Sequence, residues 1–424
     1  MNFIDSDSEE NPPRLPPSKW TLRRNLVGFW LFGLCNNYPY VIMLSAAMTI
    51  LHDNGLPSGD VQTNTSSNSS RHLHCNPIGT GAVLLADILP VIIIKATAPF
   101  FIHRVQYNVR VALVILFGAA SFLTVAFSLE VWLSLLGVVF ASVSGGLGEL
   151  TFLQLTTFYD VHTVSAFASG TGGAGLFGAL SYAGLRTAKV SPRNSILIML
   201  VIPVAMAIAF YIILVKPPQL GGHCFGGREY SLLAPGQESS SYQESGKTGA
   251  AMSRYTFKEK LFLIKPLLKY MVPLTLVYFA EYLINQGLYE LVNFEDIWLT
   301  NDEQYEWYQM DYQLGVFISR SSGSVLPINR LWILPILQFV NLGVFTSDAI
   351  LRYMPSIWIV LMLIFWEGLL GGAAYVNTFR KIREEIPADH REFSLGVASL
   401  GDALGIAVAG MVSIPLHVVL CDNV

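Results

Sequence analysis

The chain has 424 residues, of which 52% are apolar and only 13% are charged, and its mean hydropathy is +0.48. This composition excludes an ordinary soluble globular domain and indicates a polytopic membrane protein. The formal net charge is −4, and the 26 basic residues are scattered between the apolar runs and do not form the basic patch that nucleic-acid binding needs.

Residues 1–25 precede the first long apolar run and are rich in acidic residues and proline. They contain no short apolar core of the kind that a cleavable signal peptide requires. We therefore expect a disordered, cytosolic N-terminus and a first span that itself directs membrane insertion.

Apolar runs of roughly 20 residues, which can cross about 30 Å of hydrocarbon, predict eleven transmembrane helices. Six form an N-terminal bundle in residues 26–216 and five form a C-terminal bundle in residues 263–424. The fold class is therefore all-α, a bundle of six helices followed by a bundle of five. The predicted spans run near 26–51, 79–102, 109–129, 131–157, 164–186, 194–215, 264–291, 308–326, 328–347, 353–379 and 392–419.

Basic residues cluster in alternate loops, and short loops rich in Lys and Arg are retained in the cytosol. The loop at residues 52–78 then faces the lumen, where Asn64 and Asn68 lie in acceptor sequons for N-glycosylation. One short loop predicted to be lumenal is basic and breaks the rule. The supporting clusters are Arg14, Lys19, Arg23 and Arg24; His103, Arg104 and Arg110; and Arg380, Lys381, Arg383 and Arg391.

Residues 217–262 lose the apolar period and are rich in Gly, Ser, Gln and Pro, which predicts a flexible cytosolic linker. Within it, Tyr230 is followed by Leu232 and Leu233, a pattern that suits a sorting adaptor with two side-chain pockets. Four-residue patterns also arise by chance, so an accidental match remains the alternative.

The two bundles share a faint repeat. Residues 145–162 and 366–382 each place small residues and one glutamate in a span ending Thr-Phe, and each leads into a glycine-rich span. Gly170, Gly172 and Gly175 fit the dinucleotide fingerprint, but that motif needs a preceding strand and a helix end open to water. Close packing of helix backbones is the better interpretation.

Ionisable residues inside the predicted spans are costly in lipid and by default suggest function. Glu281 and Asn285 share a helix face, and Gln286 adjoins them, which predicts a water-filled cavity or a buried partner. One of the carboxylates could take up and release a proton near the pH of an acidic compartment. The full set is Asp87, Lys95, Glu149, Glu281, Arg320, Glu367 and Asp402.

Structural roles remain open for several of these residues. Lys95 could simply pair with Asp87 or another carboxylate, and Arg320 could extend towards the cytosolic headgroups from the end of its span. Asp87 precedes Pro90 and could mark a structural kink. If they are functional, Lys95 and Arg320 are the deep positive charges that an anionic substrate would need.

Several stretches resemble the battenin family of lysosomal membrane proteins, whose loss causes juvenile neuronal ceroid lipofuscinosis. They are "VGFWLFGLCNNYPYVIMLSAA" (27–47), "AVLLADILP" (82–90), "SGTGGAGLFGALSY" (169–182), "VYFAEYLINQGLYEL" (277–291), "YEWYQM" (305–310), "EGLLGGAAYVNTF" (367–379) and "HREFSLG" (390–396). The resemblance spans nearly the whole chain. It implies a relation to equilibrative nucleoside transporters and the major facilitator group, and hence a major-facilitator-like two-bundle fold with about eleven transmembrane helices. It also implies residence in lysosomes and a part in clearing glycerophosphodiesters.

The chain departs from this family at its ends. It begins Met1-Asn2, without the glycine that myristoylation requires, and the residues after Cys421 do not fit a prenylation motif. A lumenal C-terminus would allow Cys421 to form a disulfide with Cys75.

The leading hypothesis is a lysosomal transporter that exports glycerophosphodiesters by alternating access, with proton coupling as one option. Its partners would be small anionic phosphodiesters, the bilayer and sorting adaptors, with no cofactor and no metal. The alternative is a lysosomal scaffold that acts in trafficking and pH homeostasis. An enzyme is disfavoured, because no catalytic constellation has suitable spacing. The predicted transport residues are Lys95, Glu149, Glu281, Asn285, Gln286, Arg320, Glu367 and Asp402.

Overall fold

A computed structural model describes residues 18–53, 79–128, 130–217, 255–294, 297–299 and 301–423. Several sequence predictions lie outside these residues. They concern the order of residues 1–17, the glycosylation sites Asn64 and Asn68, the sorting motif at Tyr230, Leu232 and Leu233, and the disulfide from Cys75.

The first part of the chain, up to residue 217, folds into helices alone among its described residues. The long helices follow the predicted spans closely, and the sixth predicted span is built from two short helices and a π-helical turn at Ala209–Ile213. The helices are α1 (Lys19–Asp53), α2 (Gly79–Thr97), α3 (Tyr107–Ala126), α4 (Val131–Leu155), α5 (His162–Thr187), α6 (Pro192–Ile198) and α7 (Val201–Ile208).

The second part begins with a helix inside the predicted flexible linker, so the predicted boundary at residue 263 is six residues too late. Thr256 and Glu259 form a capping box that starts this helix at Phe257. The helices are α8 (Phe257–Ile264), α9 (Leu268–Gly287), α10 (Asn301–Ser321), α11 (Ile333–Leu351), α12 (Ile357–Glu385), α13 (Ala388–Ala398) and α14 (Leu400–Asn423).

Seven helical segments of the described residues are long and apolar enough to cross a membrane, so the protein is a multi-pass membrane protein. They are Tyr107–Ala126, Trp132–Phe158, Pro192–Ile213, Phe257–Gly287, Ile333–Leu351, Ile357–Glu385 and Ala388–Leu416. The count of eleven spans stays a prediction. Helix α10 starts seven residues before the predicted eighth span at 308–326, and its first half is acidic.

Two lobes with similar internal packing make up the molecule. In the first lobe α1 packs along α5 and α2 along α4, and in the second α9 packs along α14 and α10 along α12. The lobes meet where α2 contacts α14 and where α5 contacts α10. The faint repeat in the sequence is thus matched by an equivalent set of helix pairs.

Glycines let these helix pairs approach closely. Gly33 on α1 lies against the backbone of α5 at Phe167, and Gly170 on α5 lies against the backbone of α1 at Trp30. In the second lobe, Gly405 on α14 packs in the same way against the Thr275 carbonyl of α9. The predicted packing role of the glycine-rich spans is confirmed.

The second lobe leaves an open apolar groove of about 410 Å³ between α9 and α11. In the first lobe, the corresponding side of α1 and α3 is covered by α6 and α7. Among the described residues, no helix covers the groove. It is lined by Leu276, Trp332, Pro335, Ile336, Phe339 and Val340.

Candidate functional site

Lys95 joins the two lobes through a buried ion cluster. Its ammonium lies 2.7 Å from Glu149 Oε2 on the neighbouring α4 and 3.0 Å from Asp402 Oδ1, in the first turn of α14 of the other lobe. The Lys95 side chain is only 2% exposed. One cation therefore serves two carboxylates, and Glu149 accepts a further hydrogen bond of 2.7 Å from Tyr375 of α12.

Asp87 does not pair with Lys95, although the sequence left that option open. Two helical turns separate them on α2, and Asp87 instead accepts a hydrogen bond from Ser142 of α4. Its second carboxylate oxygen is buried and has no hydrogen-bond partner among the described residues. Lys95 thus belongs to the contact between the lobes, whereas Asp87 contacts its own lobe.

Arg320, near the end of α10, points into the protein and not towards a membrane surface. It donates hydrogen bonds of 2.5 Å to Thr171 of α5 and 2.8 Å to Tyr278 of α9. Its guanidinium carbon lies 4.2 Å from the centre of the Tyr375 ring, a cation–π contact. Only Nε of this 9%-exposed side chain has no hydrogen-bond partner in the described part of the chain. The alternative in which Arg320 extends to the headgroups is wrong.

Tyr375 connects these two positive centres. Its hydroxyl binds Glu149 of the Lys95 cluster while its ring faces Arg320, so the ion cluster and the guanidinium belong to one continuous network between the lobes. The network draws on α2, α4 and α5 of the first lobe and on α9, α10, α12 and α14 of the second.

Glu281 and Glu367 lie within the second lobe and make no ion pair with any described residue. Tyr312 of α10 donates a hydrogen bond to Glu281, and Tyr289 donates one of 2.9 Å to Glu367. Each carboxyl group keeps one buried oxygen that no described residue hydrogen-bonds. The Glu281 carboxyl packs directly on the backbone at Gly371, one turn from Glu367 on α12.

Asn285 and Gln286 are buried near the end of α9, with exposures of 2% and 8%. Each has a side-chain carbonyl oxygen without a hydrogen-bond partner among the described residues. Helix α9 ends at Gly287 and continues as a short 3₁₀ turn at Tyr289–Leu291, which carries the Tyr289 hydroxyl to Glu367.

Sequence reasoning missed several residues of this network. Thr171, Tyr312 and Tyr375 are uncharged, so a search for ionisable groups in spans passes over them. The available signal was spacing: Tyr312 lies eight residues before Arg320, and Tyr375 lies eight residues after Glu367, about two helical turns in both cases. A tyrosine two turns from a buried charge on the same helix lies on nearly the same face.

A second polar cluster joins the lobes near the predicted cytosolic end of the bundle. Arg383 of α12 donates hydrogen bonds to the carbonyl groups of Thr156 and Tyr159 in the first lobe. Gln154 of α4 accepts a 3.0 Å bond from Arg110 and donates one of 3.2 Å to the carbonyl of Glu392 on α13. These contacts close the space between the lobes at this end.

Comparison with known proteins agrees with the fold and the sequence patterns. The chain is 45% identical to battenin from Canis lupus familiaris over 99% of this chain and 97% of that protein, and 39% identical to Protein BTN1 from Chaetomium globosum over 99% and 96%. The crystal structure of the human organic anion transporter MFSD10 has a similar fold, with a TM-score of 0.56, 11% identity, and coverage of 96% and 97%.

The solved structure thus supports the major-facilitator fold predicted from the sequence, and the relatives extend over nearly the whole chain. Residues 27–423 match the family described as CLN3 protein. The chain therefore belongs to the CLN3 family of battenin-like, multi-pass membrane proteins.

Proposed function

We propose that this protein exports glycerophosphodiesters from lysosomes by alternating access, with Arg320 as the anchor for the phosphodiester anion. The observation that carries the proposal is the position of this guanidinium. It lies between the lobes and is hydrogen-bonded to α5 on one side and α9 on the other, and its Nε has no partner among the residues that the structure describes. An anion bound there would touch both lobes, which alternating access requires of a substrate.

Chemistry supports an anion at this position. A guanidinium is always charged and presents several N–H donors in a fixed plane, a geometry that matches phosphate oxygens. The hydroxyl groups of Thr171 and Tyr278 already accept from Arg320 and could turn their own hydrogens to an incoming anion. The fold is shared with a protein described as an organic anion transporter, which favours the same class of substrate.

The test is transport by purified protein in liposomes, with labelled glycerophosphocholine and glycerophosphoinositol as substrates. We expect Arg320→Gln to lower kcat/KM by roughly ten- to hundred-fold, because a hydrogen bond to a charged group contributes about 1.5–3 kcal/mol. The exposed Arg330 provides the matched control, Arg330→Gln, which should transport like the wild type. Failure of the wild type to move either diester would refute the proposal.

Lysosomal residence belongs to the same proposal. It requires a lumenal loop that is glycosylated at Asn64 and Asn68 and a cytosolic linker whose Tyr230 motif binds sorting adaptors. Treatment with a glycosidase should increase the gel mobility of the wild type, and Asn64→Gln combined with Asn68→Gln should abolish that shift. A scaffold without transport activity would retain its trafficking role after Glu281→Gln but would need the Tyr230 motif.

A further inference from the structure

Two buried carboxyl groups lie close together inside the second lobe. Glu281 on α9 is 1% exposed and Glu367 on α12 is fully buried. The Glu281 carboxyl lies against Gly371, one turn from Glu367, so the two groups are close enough for their charges to interact. No described lysine or arginine forms an ion pair with either group.

The surrounding groups show why this pair stands apart from the Lys95 cluster. Glu281 is faced by Tyr312 and Arg320 of α10, by Asp402 of α14, and by Tyr282 of its own helix. Arg320 is the only cation among these groups, and it donates its hydrogen bonds to Thr171 and Tyr278. Glu367 is faced by Tyr289 and by Glu281 itself.

The buried charges of the predicted spans do not balance. Arg110 and Glu392 are buried as well but form an ion pair with each other. The remaining set contains five carboxyl groups, Asp87, Glu149, Glu281, Glu367 and Asp402, and two cations, Lys95 and Arg320. Uncompensated charge in a low-dielectric interior is costly, and a carboxylate in that position takes up a proton instead. Two neighbouring carboxylates strengthen this effect, because their like charges repel.

Hydrogen bonding points to the same conclusion. Tyr312 and Tyr289 each donate a hydrogen bond to one carboxyl oxygen. The other oxygen, Oε2 of Glu281 and Oε1 of Glu367, is buried and has no partner within the described ranges. A protonated carboxyl group carries an O–H donor and needs an acceptor. The unpartnered side-chain oxygen of Asn285, one turn from Glu281 on the same face of α9, is such an acceptor.

We propose that Glu281 and Glu367 together hold one exchangeable proton, and that transport moves this proton in the same direction as the anion. The proton binds to a carboxylate oxygen when the site faces one compartment and leaves as solvated H⁺ when it faces the other. The coupling rests on the proposed transport function and follows from the position of Arg320. An anion bound to Arg320 cancels the positive charge that favours ionised Glu281, so anion and proton favour each other's binding.

Infrared spectroscopy of the purified protein at neutral pH tests the proton site without any substrate. We expect the band of protonated carboxyl groups in the wild type to lose intensity in the double variant Glu281→Gln, Glu367→Gln. Glu384→Gln is the matched control, because Glu384 is exposed and paired with Arg380, and it should keep the full band. If the double variant does not fold, the single variants are measured, and the band must shift or weaken in at least one of them, because the remaining glutamate then holds the proton in a changed environment. A band that is unchanged in position and intensity would show that neither group holds a proton and would overturn the proposal.

Proton movement is tested in liposomes that contain the wild-type protein. One proton moved with each glycerophosphoinositol, a monoanion, transfers no net charge, so a gradient of one pH unit should change its accumulation ratio about tenfold. If accumulation of the diester does not change with the pH gradient, the coupling is refuted. Absence of any transport would refute the proposed substrate, while the infrared result would still decide whether the pair holds a proton.

Discussion

At the scale of single residues, the Lys95 cluster shows that the role of a buried charge depends on which helices supply its partners. Lys95 contacts two carboxylates that come from different lobes, so it both neutralises buried charge and joins the lobes. Removing the lysine alone leaves Glu149 and Asp402 without their cation. Removing Asp402 alone still leaves Lys95 paired with Glu149.

We therefore predict asymmetric effects of substitution at this cluster. Lys95→Met should lower the free energy of unfolding by about 3–5 kcal/mol, the usual cost of breaking a buried ion pair from one side. Asp402→Asn should cost less. Thermal unfolding of the purified variants measures both.

The double variant supplies the control. Lys95→Met alone leaves two carboxylates unpaired, and the double variant Lys95→Met, Asp402→Asn removes one of them. The double variant should therefore be more stable than the sum of the two single losses predicts. Strictly additive losses would contradict the ion cluster seen in the structure.

His103 provides a pH dependence that can be checked outside the membrane-spanning segments. Burial, and then the nearby Lys260, Arg104 and Arg110, lower the pKa of His103 to about 4. In the unfolded chain its pKa is about 6.5. Between these values the unfolded state binds more protons, so the protein should lose stability as the pH falls from about 6.5 to about 4.

Thermal melts across this pH range measure the effect. His103→Gln should flatten the decline, whereas His162→Gln, at an exposed histidine, should leave it unchanged. Equal slopes in the wild type and in His103→Gln would contradict the burial of this ring in a cationic environment.

Residue identities alone predicted the charged members of the site but not their grouping. Lys95, Glu149 and Asp402 were each expected to be important, yet 307 residues separate Lys95 from Asp402 in the chain. Likewise, Arg320 looked free to reach the headgroups because it lies near the end of its helix. Its actual direction depends on Thr171 and Tyr278, which belong to other helices.

At the scale of helices, the glycines of α5 serve two surfaces at once. Gly170 contacts α1 of the same lobe, whereas Gly172 lies against Phe317 and Arg320 of α10 in the other lobe. The small residues therefore set both the packing within the lobe and the approach of Arg320.

Gly170→Ala should destabilise the protein, because an added methyl group meets the α1 backbone at Trp30 and nothing flexible can move aside. Overpacking of this kind costs about 1–3 kcal/mol. Gly184→Ala on the same helix is the matched control, since its added methyl group meets nothing within 4 Å. We expect it to be neutral or to stabilise the helix by up to about 1 kcal/mol. A lower melting temperature in both variants would refute the role of close packing.

Hydropathy predicted the boundaries of apolar helices well and those of polar helices poorly. Helix α12 begins four residues after the start of the predicted span at 353–379 and extends six residues past its end, whereas α10 begins seven residues before the predicted eighth span and is polar in its first half. The reason is burial: α10 packs between α5 and α12, so protein and not lipid surrounds much of its polar side. A hydropathy window measures only how readily a segment enters lipid, so it misses polar residues that are buried against other helices.

At the scale of the whole molecule, the proposed transport by alternating access requires the lobes to separate at the end of the bundle that Arg383 and Gln154 close. Ser169 of α5 and Ser321 of α10 lie across the interface with their hydroxyl oxygens 2.8 Å apart. Cysteines at both positions would be close enough to form a disulfide.

We predict that oxidation of the double variant Ser169→Cys, Ser321→Cys abolishes transport in liposomes and that a reducing agent restores it. The two single-cysteine variants, treated with the same oxidant, should remain active. A cross-linked protein that transports at the wild-type rate would show that the lobes need not separate here.

The sequence by itself determined that this is a multi-pass helical membrane protein built from two halves, because apolar run length and composition are local properties of the chain. It also identified the costly buried charges and the glycines of close packing. Only the tertiary structure decided that Lys95 binds Asp402 across the lobes, that Arg320 turns inward, and that Glu281 and Glu367 form no ion pair with any residue that the structure describes. These are contacts between helices far apart in the chain, and their free energies depend on which side chains come to face each other when the lobes pack.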